Sequence, residues 1–211
     1  MTETAEGEIR AREAEAREAE QRLAELTAAR FGDNQGPPLE APPPRHGSSL
    51  APPSSSDIIS AYRVITGMPD TAGGRSSNGT VAFALVDGKP VIGVNSNAPG
   101  YTTSDEAAAR AMRGLLVERY PKVMATDNLG YMPNDALFHA EANALLRAGE
   151  GGRYLGGRTI EMRVDRRLCD SCDEVLPLVG LLSGNPTVRI IDGSGAVWIM
   201  RDGVWITRGR P

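Results

Sequence analysis

The sequence predicts an α/β fold, a three-layer α-β-α sandwich on a five-stranded mixed sheet that ends in an antiparallel hairpin. Three observations predict it. Short runs rich in β-branched residues, at 80–86, 90–95, 158–164, 187–191 and 196–200, alternate with longer segments whose apolar residues recur at helical spacing. Asp87-Gly88 and Asp202-Gly203, pairs suited to two-residue reverse turns, stand where strands double back. Gly67-Met68-Pro69 and Gly184-Asn185-Pro186 are stop signals for the helices before them.

Each element follows from its own residues. Asp57 is a fair N-cap for a helix through Ile58, Ile59, Tyr62, Val64 and Ile65. Thr80 to Val86 forms a strand, Asp87-Gly88 turns it, and Pro90 to Asn95 returns antiparallel. A helix from about Ser104 to Tyr120 has Asp105 and Glu106 in its first turn, where the macrodipole favours anions, and ends at Pro121. Its apolar stripe is Ala108, Met112, Leu115 and Leu116. Residues 122–133 show no period. The next helix carries His139, Glu141 and the run Ala144-Leu145-Leu146, and closes at Gly149, Gly151 and Gly152. A strand over 158–164 precedes a helix opened by Cys169 and Cys172, and the strands at 187–191 and 196–200 close the sheet, with Val204-Trp205-Ile206 after a last turn.

The chain divides into a charged N-terminal helix (1–30), a Pro/Ser-rich linker expected to be disordered (31–56) and a catalytic domain (57–211). In the first, Ile9, Ala16 and Leu23 fall seven apart with Ala19 and Leu26 between them, a short heptad stripe that allows either a solvated helix or weak self-association through 7–30. The net charge of -4 sits in residues 1–56, with 6 basic and 10 acidic groups; residues 57–211 carry 17 of each. No overall basic field marks a nucleic-acid binder, although Arg163, Arg166 and Arg167 offer a local patch. With no run of about 18 apolar residues and two cysteines at metal spacing, a cytoplasmic protein without membrane contact is expected, signal-less secretion remaining open.

The chemistry is concentrated in Phe138-His139-Ala140-Glu141 and Cys169-Asp170-Ser171-Cys172. Taken alone, the cysteine pair could be a redox couple, half of a structural zinc site or two buried thiols. A structural site wants four protein ligands; the chain has no third cysteine, and its other histidine, His46, lies in the proline-rich stretch. His139, Cys169 and Cys172 supply three ligands for one catalytic zinc ion and leave its fourth position to water, with Glu141 close enough to move a proton.

On these motifs residues 57–206 resemble the cytidine deaminase-like superfamily. The resemblance implies hydrolytic deamination of cytosine to uracil: zinc-activated water attacks C4, Glu141 shuttles the proton to the ring nitrogen, and ammonia leaves. It also implies that the Ala140 N–H holds the base carbonyl. Gly93-Val94-Asn95 resembles the family's Gly-x-Asn, so Asn95 is a sugar-contact candidate, with a strand-end cap as its plain alternative. Phe138, Tyr101 and Tyr131 are stacking candidates that could equally be core, and Trp198 and Trp205 read as packing residues. Leu168 stands where the family usually has proline, and Asn97 where free-nucleoside enzymes have a ribose-binding glutamate.

The layout, with its hairpin ending and its charged helix and linker, is similar to bacterial toxin-type deaminases. That implies a nucleic-acid substrate, DNA favoured over RNA in single- or double-stranded form, and an immunity protein as a partner if the chain is a toxin. A free cytidine deaminase and a non-catalytic zinc-stabilised binding module are the alternatives.

Overall fold

A computed structural model describes residues 53–69, 71, 79–124, 135–149 and 155–209. The helix expected over 1–30, all but the end of the 31–56 linker, and Tyr131 lie outside these residues. Helix α1, Ser55–Ile65, starts three residues ahead of the expected site. Ser54 is the N-cap and Asp57 its N3 partner: the Ser54 hydroxyl accepts the Asp57 N–H, and the Asp57 carboxylate accepts the Ser54 N–H. This reciprocal box satisfies two donors where Asp57 alone as N-cap would satisfy one.

Strands β1 (Val81–Val86) and β2 (Lys89–Val94) form the expected hairpin, with Asp87 and Gly88 both at positive φ as the tight turn requires. Helix α2, Thr103–Arg119, has a second capping box in Thr102 and Asp105. Its buried residues are Asp105, Ala109 and Leu116, whereas Leu115 is 41% exposed, so the stripe is rotated from the expected one. The carboxylate of Asp105 lies on the buried side. Helix α3, Pro121–Met124, occupies part of the stretch that lacked a period. A 3-10 turn, Asp135–Phe138, leads into helix α4, Ala140–Ala148. Strand β3 (Thr159–Val164), helix α5 (Asp170–Leu182) and strands β4 (Thr187–Ile191), β5 (Val197–Arg201) and β6 (Val204–Thr207) complete the described chain.

The sheet has six strands in the order β2-β1-β3-β4-β5-β6, not five. Only β3 and β4, joined through α5, run parallel; every other neighbouring pair is antiparallel. The additional strand is β6, which follows the Asp202-Gly203 turn and pairs with β5 across a bulge at Ile199/Met200. Its hold on the domain is specific. Pro177 lies inside α5 and has no N–H to give the carbonyl one turn earlier, that of Asp173. The Trp205 indole on β6 donates to that carbonyl at 2.6 Å. Trp205 also stacks at a tilt on Trp198, with ring centroids 5.3 Å apart. Trp205→Phe would keep most of the packing and strand the carbonyl, so a loss of about 1–3 kcal/mol is expected in urea unfolding.

Alternation along β1 assigns the two sides of the sheet. Ala82, Ala84 and Val86 join the larger core with α2, α4 and α5, while Val81 and Phe83 join a smaller core with Ile59 and Tyr62 of α1. Helix α4 is buried almost all round, and it lies so close to β2 that a Cβ on Gly93 would come within 2.1 Å of the Ala140 carbonyl oxygen and 2.5 Å of the Ala144 nitrogen. Both obstructing atoms are backbone and cannot swing away. Gly93→Ala therefore has to push α4 off the sheet, at a cost of about 1–3 kcal/mol or more, readable as a lower denaturation midpoint.

Candidate metal centre

Two helix starts converge on one point. His139 is the N-cap residue of α4 and Cys169 that of α5, both in extended backbone conformation, and Cys172 lies in the first turn of α5. The His139 ring does not cap its helix, which leaves it turned to the cysteines. Its Nδ1 lies 3.3 Å from Cys172 Sγ and 3.4 Å from Cys169 Sγ. The three ligand atoms lie within 4.8 Å of one another and form a group that could hold a metal ion. Tetrahedral zinc with ordinary Zn–N and Zn–S bonds sets its N···S separations at about 3.6 Å, so the spacing needs little adjustment. On the far side of the ring, Nε2 is 3.8 Å from Asp135 Oδ1, within ion-pair range but too long for a hydrogen bond. One imidazole and two thiolates are a donor set that zinc takes readily, and two thiolates balance a divalent charge.

The electrostatics of the metal-free site already divide the roles. A hydrogen bond from Cys172 and the facing His139 together outweigh burial and hold the Cys169 thiol down at about 4. Burial would lower the pKa of His139, but the Cys169 thiolate overrides it and raises it to about 9. Cys172 is pushed well above its ordinary value by its bond to Cys169 and by burial. An imidazolium, a thiolate and a thiol thus share one small volume, and a divalent cation would displace their protons. Glu141, 4% exposed, has its Oε2 3.8 Å from Cys172 Sγ. Burial raises its carboxyl to about 7, against the opposing pull of a backbone N–H and His139.

The structure brings together His139, Glu141, Cys169 and Cys172. Ala140 is buried at the first position of α4, where a backbone N–H has no intrahelical partner. Phe138 is half-buried against the larger core. Its carbonyl accepts the Ser96 N–H at 3.0 Å and so draws the loop after β2 to the site. Asn95 acts at least as a strand-end cap, its Oδ1 accepting the Thr80 N–H at 2.9 Å. Asn97 is exposed, and Tyr101 packs beside the smaller core. Trp198 is a buried packing residue, as expected.

Two polar clusters that set the site escaped the sequence reading. Asp192, fully buried, accepts from the Leu168 N–H at 3.2 Å and from the Trp198 indole at 3.1 Å on one oxygen, and from Ser194 and Ala196 on the other. It ties the loop entering Cys169 to the β4–β5 turn. A proline at 168 has no N–H and could not make this contact. The signal was an aspartate ahead of Gly193-Ser194-Gly195, a sequence that favours an Asx turn.

The second cluster fastens α4. Arg147 donates to both oxygens of Asp105, at 2.8 and 2.7 Å, and to the carbonyls of Ile92 and Gly100; Asn143 donates to Asp105 and accepts the Val94 N–H. Asn143 and Arg147, four apart within an apolar helix, were the sequence signal. Arg147→Met leaves the Asp105 charge buried without its partner, and a loss of about 3–5 kcal/mol is expected. Burial alone would raise the Asp105 carboxyl, but the Arg147 bonds and charge, with Thr102 and Asn143, bring it from 3.8 to about 2. Its stabilisation is therefore complete above about pH 4 and lost as the pH falls towards about 2. Denaturant midpoints measured across that range should fall less steeply in Arg147→Met than in the wild type.

No family model and no curated protein matches this sequence. Among the described residues no helix is long and apolar enough to cross a membrane.

Proposed function

We propose that the chain is a zinc-dependent hydrolytic deaminase converting cytosine to uracil in nucleic acid, DNA favoured, on a three-layer cytidine deaminase-like domain. The observation that carries the reading is the meeting of His139, Cys169 and Cys172 around one point with the buried carboxylate of Glu141 beside them. Zinc, when bound, supplies a water acidic enough to ionise near neutral pH, with a pKa of about 7. Glu141 takes one proton from that water to the ring nitrogen and then carries the second, from the hydroxyl that has entered at C4, to the departing amine, so that the C4 carbonyl forms and ammonia leaves. Its burial suits a group that must both accept and give up a proton near neutral pH. The Ala140 N–H, at a helix start, is suited to hold the base carbonyl.

The substrate is settled by incubating the zinc-loaded protein with single-stranded DNA, double-stranded DNA, RNA and free cytidine and quantifying uracil in each. Uracil in a polynucleotide supports the proposal. Uridine from cytidine alone replaces it with a nucleoside deaminase, and zinc binding without any product leaves a zinc-stabilised binding module.

A further inference from the structure

A cavity of about 320 Å³ lies between α1 and the C-terminal end of β3, within the range of small-ligand sites, about 300–1,000 Å³. Its polar lining is Ser56, Ser60, Thr71, Arg63, Arg163 and Asp165. Two of the three charges cancel within the protein. Arg63 is 2.6 Å from Asp165 and spends its remaining donors on the Pro69 and Gly79 carbonyls. Arg163 differs: it is half-buried, and its side chain makes no hydrogen bond or ion pair among the described residues. By strand alternation it stands on the α1 face of the sheet, since Met162 and Val164 on either side of it belong to the opposite core. A partly desolvated guanidinium that lines a concavity with three hydroxyls, and has no acid paired with it among the described residues, is a complement to an oxyanion.

We propose that this cavity is a phosphate-binding subsite with Arg163 as its cation. In an extension that rests on the deaminase reading, the phosphate belongs to the backbone of the polynucleotide whose cytosine reaches Glu141. Asp165, on the cavity wall, opens the loop to Cys169 four residues before it, and a Cβ on Gly193 in the β4–β5 turn would meet both Asp165 and Arg166. Cavity and cysteine loop therefore border the same end of the sheet on its two sides. A strand of several nucleotides can touch both, whereas a single nucleoside carries no phosphate to place there.

The test uses the full chain carrying zinc, with Arg163→Gln and the charge-keeping Arg163→Lys, each checked for folding by circular dichroism. Inorganic phosphate is titrated by calorimetry, and a labelled single-stranded oligodeoxycytidine by fluorescence anisotropy over a range of salt. Phosphate binding by the wild type, lost in Arg163→Gln and restored in Arg163→Lys, is the expected result. If the phosphate comes from the polynucleotide, Arg163→Gln also weakens oligonucleotide binding about tenfold or more and lowers the log–log salt slope by about 0.7–1. If those two quantities stay unchanged while phosphate binding is lost, the subsite serves a free phosphate ligand. Wild-type protein that binds no phosphate and an Arg163→Gln variant with unaltered oligonucleotide affinity would overturn the proposal. Uracil formation is scored separately: its absence alongside intact phosphate binding sinks the deaminase reading and leaves the subsite standing.

Discussion

Glu141→Gln is expected to lower uracil formation by about 10²–10⁴-fold, the usual contribution of a positioned proton-transfer group. The substitution keeps the volume of a residue that is 4% exposed, so it opens no cavity in α4. It also leaves His139, Cys169 and Cys172 in place. Zinc content by elemental analysis and the thermal midpoint should therefore match the wild type while turnover collapses. Turnover within a few-fold of the wild type would remove Glu141 from the reaction. A parallel loss of zinc would instead make it part of the metal site.

Cys172→Ser should have the other large effect. Cys172 Sγ is fully buried, 3.3 Å from the His139 ring, and a hydroxyl is a poor ligand at this position because it stays protonated where a thiol gives up its proton to the metal. Even partners outside the ligand set alter metal affinity by about 10–100-fold, so loss of a ligand should exceed about 100-fold in competition with a chromogenic chelator. Because a metal that binds only the folded chain adds to its stability, chelation should lower the thermal midpoint of the wild type. The same treatment should leave Cys172→Ser unchanged. An equal drop in both proteins would mean that the chelator acts elsewhere.

The cluster of His139, Cys169 and Cys172 was legible because its chemistry is local: His139-x-Glu141 and Cys169-x-x-Cys172 each place two functional groups within one helical turn. The strands at 81–86, 89–94, 159–164 and 187–191 were legible from their alternation and bounding turns. What failed to show was whatever depends on partners distant in sequence. Strand β6 is short and mostly exposed, and what fixes it is the Trp205 indole meeting a carbonyl freed by Pro177, 28 positions earlier. The Asp105–Arg147 pair spans 42 positions, and it lies on the buried stripe of α2, which differs from the one its apolar residues suggested. Gly93 was read through the resemblance as part of a motif; the structure gives it a steric cause, the approach of α4 to within contact of the β2 backbone. Asn95, in the same motif, spends its amide oxygen on Thr80.

The measurement that tests the central claim most directly is mass spectrometry of the product after reaction in oxygen-18-labelled water. Zinc-loaded wild-type protein and Glu141→Gln would each be given a cytosine-bearing single strand, followed by digestion to nucleosides. Hydrolysis at C4 with Glu141 as the proton carrier predicts uracil carrying the heavy oxygen from the wild type, with ammonia released in equal amount, and almost none from the variant. Uracil without the label, label formed equally by Glu141→Gln, or a strand that emerges with every cytosine intact would contradict it.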